Sequence, residues 1–249
     1  MHLKKVILSV VVVALLGACG SDSSDSSSTN EEVTNEVSTL SDGLVAYYKF
    51  DGNANDSSGN GNDGVEHGGV TYVDGVIGQA GKFGYNIVDY IEVTKDFEIG
   101  KEWTFTEWVN LNINSSHIIS IATEYNINEF LIYPHKDFRG EFHFAVNDVV
   151  IAGHNPIPNI NDNQWHLVIL KSDGQMVSFY IDGILYETFT DIQDLDITSQ
   201  NLIIGQEQDS LGGGFVLDES LNGMVDDFRI YNRALDEAEI AELYQMGSQ

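Results

Sequence analysis

Hydrophobic and polar residues alternate along the segment Gly223–Leu235, and this alternation predicts a β-strand. On a period of two, Met224, Asp226, Phe228 and Ile230 share one face of that strand. A carboxylate on an apolar face is costly unless a cation or several hydrogen-bond donors meet it. Asp226 is therefore expected to bind a metal ion or backbone amides. The alternative is that the strand's acidic residues simply face solvent.

The residues after this strand predict a short amphipathic helix. Asp236 can cap the helix N-terminus, with Glu239 three residues later as its partner in a capping box. Ile240, Leu243 and Tyr244 follow at the spacing of one helix face. Earlier in the chain, strand-like runs separated by Gly, Asn and Asp turns predict an all-β body for this helix to dock on.

A long polar loop, Asp51–Gly64, follows the first predicted strand. The loop is too long for a simple turn, and its glycines allow the backbone to fold tightly. Asp and Asn side chains and freed carbonyls can together supply the roughly six to eight oxygens that Ca²⁺ prefers. The alternative is a loop that Asx turns hold together without a metal.

Four segments, in this order, carry a resemblance to a known family. They are Tyr-x-Phe-Asp-Gly-Asn-Ala-x-Asp-Ser-Ser-Gly-Asn-Gly-x-x-Gly (48–64), Val73–Phe83, Gln164–Gly183 and Gly223–Leu235. The chain resembles LamG-like jelly-roll domains of the concanavalin A-like lectin/glucanase superfamily over residues 43 to 246. The resemblance implies an all-β fold, a two-sheet antiparallel jelly-roll sandwich with a short C-terminal helix.

The resemblance also implies a structural calcium ion where the first strands lie near the last. Its most transferable side-chain ligand is Asp226, followed by Asp51 and Asp56. The chain departs from the family at Glu107, where a small residue is usual. A functional carboxylate is one interpretation of Glu107, and a hydrogen bond with a neighbouring donor is the other.

Aromatic, cationic and planar polar side chains occur together around residues 133 to 139. Sugar sites use aromatic faces for stacking and planar polar groups for hydroxyls. Tyr133, His135 and Arg139 are therefore candidate ligand-binding residues. An ordinary hairpin with mixed surface residues is the alternative.

The first residues predict an exported lipoprotein. Lys4 and Lys5 precede the apolar run Val6–Leu16, as in a signal peptide. The run ends in Leu16-Gly17-Ala18-Cys19, which resembles the bacterial lipobox and implies lipidation of Cys19. Gly20 after that cysteine favours the outer membrane by the same resemblance. The domains are then a signal peptide (1–19), a disordered Ser/Asp-rich tether (20–42) and a jelly-roll domain (43–249).

The formal net charge of the chain is −28. So acidic a protein is expected to bind neither nucleic acid nor anionic lipid headgroups. Contact with the membrane is then expected through the lipid anchor alone.

No pair of catalytic carboxylates in a Glu-x-Asp-x-x-Glu strand, no Gly-x-Ser-x-Gly elbow and no His-Glu-x-x-His helix is present in the sequence. The sequence therefore predicts a non-catalytic, surface-anchored carbohydrate-binding module with a polysaccharide or glycan as partner. An adhesion or scaffold lipoprotein with a protein partner is the second possibility. A glycoside hydrolase or polysaccharide lyase with an unrecognised site is the third.

Overall fold

The computed structural model describes residues 38–84, 88–112, 115–125, 130–134, 142–147, 149–152, 159–190, 192 and 195–248. The helix is α1 (Glu237–Gly247), and a short 3₁₀ turn spans Leu217–Glu219. In chain order the strands are β1 (Leu44–Tyr48), β2 (Val65–His67), β3 (Thr71–Asp74), β4 (Gln79–Phe83), β5 (Tyr90–Val93), β6 (Phe97–Gly100), β7 (Glu102–Leu111), β8 (Ile119–Ala122), β9 (Phe130–Pro134), β10 (Phe142–Val146), β11 (Val149–Ala152), β12 (Trp165–Asp173), β13 (Val177–Ile181), β14 (Ile184–Phe189), β15 (Ile197–Ser199), β16 (Asn201–Ile204) and β17 (Gly223–Tyr231).

Two large antiparallel sheets form the body of the domain. The eight-stranded sheet has the order β14-β13-β12-β7-β17-β4-β3, with β1 also paired to β17. The seven-stranded sheet has the order β11-β10-β9-β8-β16-β5-β2, and β15 pairs with β6. The first strand thus pairs with the last, as the jelly-roll prediction requires. The predicted all-β, two-sheet fold with a C-terminal helix is confirmed.

The main core lies between the two sheets. On β7, Trp103 and Phe105 point into this core and contact Phe130 of β9, with ring centroids 5.3 and 4.2 Å apart. Such aromatic pairs bury large apolar areas and fix the spacing of the sheets. Alternation along β7 determines which side chains face this core, while Thr104, Thr106 and Trp108 on the opposite face are also buried.

Glu107 lies on the same core-facing side of β7 and is 0% exposed. Neither of its carboxylate oxygens has a hydrogen-bond partner within the described part of the chain. Burial raises its pKa to about 8, so the side chain is protonated at neutral pH. The expected pairing with a neighbouring donor is therefore not found among these residues.

Helix α1 docks on the outer face of the eight-stranded sheet. There it completes a second apolar cluster, in which Ile240 and Leu243 pack with Trp108 of β7. The Asp236 side chain accepts hydrogen bonds from the first turn, and the Glu239 side chain accepts one from the Asp236 N–H at 2.9 Å. The predicted capping box is thus present.

Residues 38–42, which composition assigned to the tether, pack against the domain. Leu40 is buried in the outer cluster. Arg233 donates hydrogen bonds to the carbonyl oxygens of Thr39 at 3.0 Å and Asp42 at 2.7 Å. The packed domain therefore includes residues 38–42, N-terminal to the predicted boundary at residue 43. One buried leucine and two backbone carbonyl groups hold this segment against the domain. Cys19 and residues 1–37 lie outside the described residues, so the signal peptide, the lipidation and the tether over 20–37 stay predictions.

Candidate functional site

A bulge in β17 determines where Asp226 lies. The pairing of β17 with β7 shifts between Asp226 and Arg229, and Asp227 takes a φ of 50°. The extra residue reverses the alternation, so Val225 and Phe228 face the main core. Asp226 is instead on the outer face, opposite Trp108 of the outer cluster. The predicted sharing of one face by Asp226, Phe228 and Ile230 is therefore wrong.

Asp226 binds the turn between β3 and β4. Its Oδ2 accepts hydrogen bonds from the backbone N–H groups of Val76 and Ile77, both at 2.8 Å. Gly75 lets the backbone approach this closely, because a Cβ there would lie 2.5 Å from Oδ2. Backbone amides, one of the two partners expected from the sequence, are thus in contact with Asp226.

The electrostatic setting of Asp226 combines opposing effects. The residue is 0% exposed, and its Oδ1 accepts no hydrogen bond from any described residue. Burial raises the pKa of Asp226 to about 7, against the opposing effect of the two amide donors. One oxygen of this buried carboxylate, Oδ1, is therefore available to a further ligand or donor.

Asp51 binds the other side of the same turn. Its Oδ1 accepts a hydrogen bond from the N–H of Gln79 at 2.8 Å. A side chain on Gly78, which has a φ of 75°, would collide with the Asp51 carboxylate. Two of the three predicted metal ligands, Asp51 and Asp226, therefore meet at one turn.

Asp56 has a separate role inside its own loop. Its Oδ1 accepts from the N–H groups of Tyr47 and Ser58, and its Oδ2 accepts from the N–H of Asn62 at 2.9 Å. Burial raises the pKa of Asp56, but these hydrogen bonds outweigh burial and hold it below its ordinary value. Both oxygens already have donors, as expected for an Asx-turn-rich loop.

These contacts test how well the three residues fit a calcium ion. Calcium needs about six to eight oxygen ligands, and N–H groups directed at a site oppose a cation. The described residues contain no group of three or more His, Cys, Asp or Glu side chains suited to a metal. The three carboxylates do not meet as one site, and only Asp226 Oδ1 is buried without a donor among these residues. The calcium ion stays a prediction.

Tyr133 lies among histidines on the outer face of the seven-stranded sheet. Its ring centroid is 4.6 Å from that of His117 and 5.4 Å from that of His143. His117 also pairs with Glu207, at 3.0 Å between Nε2 and Oε2. Burial and then the Glu207 charge raise the pKa of the Tyr133 hydroxyl. The other two predicted ligand-binding residues, His135 and Arg139, lie outside the described residues.

A second group of rings occupies the same face. Tyr90 lies with its ring centroid 4.4 Å from that of His67 and 4.4 Å from that of Phe215. Ile91 of β5 and Ile132 of β9 face the core, so Tyr90 and Tyr133 project from the opposite side of the sheet. We call His67, Tyr90, Phe215, His117, Tyr133 and His143 the ring face. The alternation of strands β5 and β9 could have predicted from the sequence that its two tyrosines share a face. Phe215 lies in a loop, and no strand pattern could have predicted its position.

The described residues contain no helix that is long and apolar enough to cross a membrane.

Sequence comparison finds curated relatives that match part of the chain and one family whose profile matches it. Human pentraxin-4 is 31% identical over 146 residues, which are 56% of this chain and 30% of pentraxin-4. The chain thus spans less than a third of that relative's length. The sequence profile of the family Laminin_G_3, described as concanavalin A-like lectin/glucanases superfamily, matches residues 84–241.

Two solved structures are similar over most of the chain. Domain 4 of AbnA, a GH43 extracellular arabinanase from Geobacillus stearothermophilus, in complex with arabinotriose, superposes with a TM-score of 0.61 at 21% identity, covering 81% of this chain and 98% of that domain. The binding domain of botulinum neurotoxin DC, in complex with rat synaptotagmin II, gives 0.63 at 14% identity, with 83% and 52% covered. At these identities the likeness shows the fold alone. The family match covers more than half of the chain, which therefore belongs to the Laminin_G_3 family of the concanavalin A-like lectin/glucanases superfamily.

Proposed function

We propose that this protein is a non-catalytic, lectin-like module that binds a glycan. The observation that carries the proposal is the ring face, where Tyr90 and Tyr133 project from the same side of one sheet with histidines beside them. Aromatic faces stack on the CH groups of sugars, while imidazole and carboxylate groups hydrogen-bond hydroxyls. Tyr133 is half-buried, so its ring is held in place while part of it stays accessible.

The solved structures support this class of function by analogy of fold. The arabinanase domain that superposes on this chain was solved with arabinotriose, a neutral pentose trimer. The likeness covers nearly all of that domain and 81% of this chain. Because one fold can host many sites, the analogy indicates which ligands to test first and does not identify the sugar.

Thermal unfolding of the protein with a panel of glycans tests the proposal. A ligand that binds the native state raises the midpoint in a concentration-dependent way. We expect at least one polysaccharide to raise the midpoint without being cleaved, and Tyr133→Ala to reduce that shift. Tyr125→Ala is the matched control, since Tyr125 is 90% exposed and is not part of the ring face. Failure of every glycan to shift the midpoint would overturn the proposal.

A structural calcium ion is the finer part of the proposal. It would use the free Oδ1 of Asp226 together with oxygens other than the amide-bound carboxylates. Calcium is then expected to raise the melting midpoint of the wild type, EDTA to lower it, and Asp226→Asn to abolish the difference. Equal midpoints in EDTA and calcium would show that the turn amides alone hold Asp226.

Display at the cell envelope completes the proposal. A lipid on Cys19 would anchor the chain, and the Ser/Asp-rich segment after it would hold the domain away from the membrane. Cys19→Ser is expected to release the protein from the membrane fraction. Membrane association that survives this change would contradict the anchor.

A protein partner is the second candidate. Ile184 and Leu185, adjacent on strand β14 at the edge of the eight-stranded sheet, are 61% and 51% exposed. An exposed sheet edge that carries apolar side chains can bind a partner chain. Failure of every glycan to bind would favour this candidate. Ile184→Ser is then expected to reduce binding of a protein partner that the wild type binds.

A further inference from the structure

A cleft of about 440 Å³ opens beside the start of β1, and none of its lining residues belongs to the ring face. Four separate segments converge on it, and the side chains that matter here are Asn60, Asn62, Lys95, Asp96, Phe97 and Asn232. Its volume lies within the range of roughly 300–1,000 Å³ that is typical of small-molecule sites. Asn60 and Asn62 belong to the polar loop for which a calcium ion is expected, but none of Asp51, Asp56, Asp226 or the residues around Tyr133 lines this cleft.

Internal hydrogen bonds preorganise one wall of the cleft. Asn60 Nδ2 donates to the carbonyl oxygen of Leu44 at 2.8 Å, and Asn62 Nδ2 donates to that of Val45 at 2.8 Å. Lys95 Nζ donates to the Asn60 carbonyl oxygen at 2.5 Å. The two asparagines and the lysine are therefore held in place without a ligand, which reduces the ordering cost of binding.

Asn62 supplies an independent sign of a missing partner. The residue is 2% exposed, and its Oδ1 accepts no hydrogen bond within the described part of the chain. Buried polar atoms are nearly always satisfied by protein, water or ligand. Asn62 thus places an amide with an unused buried acceptor in the wall of the cleft.

The lining chemistry selects among ligand classes. Amides both donate and accept, Lys95 donates, and Asp96 accepts, so the set matches a ligand with many hydroxyl groups. Phe97 is half-buried and adds an apolar surface for the CH face of a sugar ring. Asp96 and the overall charge of −28 oppose an anionic ligand.

We propose that this cleft is a binding subsite for a neutral oligosaccharide, separate from the ring face. The inference rests on the proposed function, which supplies the class of ligand, a glycan. It adds where the glycan binds and that the bound glycan carries no charge. Lys95 and Asp96 would hydrogen-bond hydroxyls, and Phe97 would support one face of a sugar ring.

Isothermal titration of the full-length protein in detergent tests the subsite. The probes are neutral trimers (arabinotriose, xylotriose and cellotriose) and the anionic trimer of galacturonic acid. The variants are Lys95→Gln, Asp96→Asn and Phe97→Leu in the cleft, and Tyr133→Ala on the ring face. Lys101→Gln and Glu98→Gln are matched controls, because both residues are exposed and do not line the cleft. Lys95 and Asp96 are themselves exposed, so their variants are expected to fold, and melting curves verify this.

We expect a neutral trimer to bind and the galacturonic acid trimer to bind more weakly. Lys95→Gln and Asp96→Asn should each lose about tenfold or more in affinity, as for a lost hydrogen bond to a charged group. Phe97→Leu should weaken binding through the loss of the aromatic face. The controls should match the wild type. Binding that Tyr133→Ala weakens but no cleft variant changes would overturn the subsite and leave the proposed function intact. Stronger binding of the anionic trimer would overturn the assignment of a neutral ligand. Absence of binding by every trimer and polysaccharide would remove both.

Discussion

Arg229 forms an ion pair with Asp227, two residues earlier on the same strand, at 3.0 Å between Nη2 and Oδ2. Both side chains are almost fully buried, at 6% and 3% exposed. Asp227 has a positive φ and lies at the bulge, where the pairing of β17 with β7 shifts. The Tyr47 hydroxyl donates to the same carboxylate, and the Arg229 guanidinium lies 4.3 Å from the Tyr47 ring centroid. The bulge thus links the first strand to the last.

Asp227→Asn is expected to lower the free energy of unfolding by about 3–5 kcal/mol, because it leaves a buried guanidinium without its counter-charge. Asn tolerates the positive φ, so the loss reports the charge and not the backbone. Glu237→Gln is the control, since it breaks an ion pair with Lys171 in which Glu237 is 71% exposed and should cost less than about 1 kcal/mol. Urea unfolding measures both, and equal losses would contradict this account of the buried pair.

Glu107→Gln tests the buried carboxyl of the core. The pKa of Glu107 rises from the ordinary 4.5 to about 8 because burial disfavours the charged form. A raised folded-state pKa means that stability from this group is fully present below about pH 4.5 and is lost as pH rises towards 8.

The wild type should therefore lose stability between these two pH values, whereas Glu107→Gln, which stays neutral, should lose less. The loss that remains includes the contribution of Asp226, whose pKa burial raises to about 7. Glu102→Gln on the same strand is the control, because Glu102 is exposed and should keep the wild-type pH profile. Denaturant midpoints from pH 4 to 9 give the comparison. A wild-type slope that persists in Glu107→Gln would assign the pH dependence to another group.

Gly75→Ala tests the contact between the β3–β4 turn and Asp226. A Cβ at this position would lie 2.5 Å from Asp226 Oδ2 and 3.0 Å from the Ala80 nitrogen, so the turn must move. The expected loss is about 1–3 kcal/mol, the cost of weakened hydrogen bonds to a buried carboxylate.

The double variant Gly75→Ala with Asp226→Asn should lose less than the sum of the single losses, because both changes act on one contact. Gly213→Ala is the control, since its nearest neighbour beyond the adjacent residues is the Ser210 hydroxyl at 3.3 Å. Additive losses in the double variant would show that Gly75 matters for another reason.

Glu239→Gln tests the junction of α1 with the N-terminal segment. The hydrogen bonds from Arg233 lower the pKa of Glu239 to about 2, against the opposing effect of burial. The stability that this carboxylate supplies is thus present above about pH 4.5 and is lost as pH falls towards 2.

Glu239→Gln should lower the melting midpoint at pH 7 and flatten the decline below pH 4.5. Glu242→Gln, on the same helix, should behave as the wild type. Thermal unfolding at several pH values measures both, and an unchanged acid slope in Glu239→Gln would rule out this carboxylate as its source.

Local sequence signals were sufficient for the helix cap and for strands whose pairing is regular. Asp236 and Glu239 are three residues apart, and every atom of a capping box lies within that single turn. The alternation of Trp103, Phe105 and Val109 likewise encodes a core-facing side directly. Separated motifs added the family, which determines the fold but not the ligand.

The sequence by itself therefore determined the all-β class, the strand faces where pairing is regular, the helix and its cap, and the need of Asp226 for a partner. Only the tertiary structure decided which partner it contacts, because the bulge at Asp227 reverses the face of β17 and a turn about 150 residues away supplies the amides. The ring face and the cleft were also decided by the fold, since their residues come from distant segments that no local pattern relates. Period and capping act over a few residues, whereas a site depends on how remote strands align.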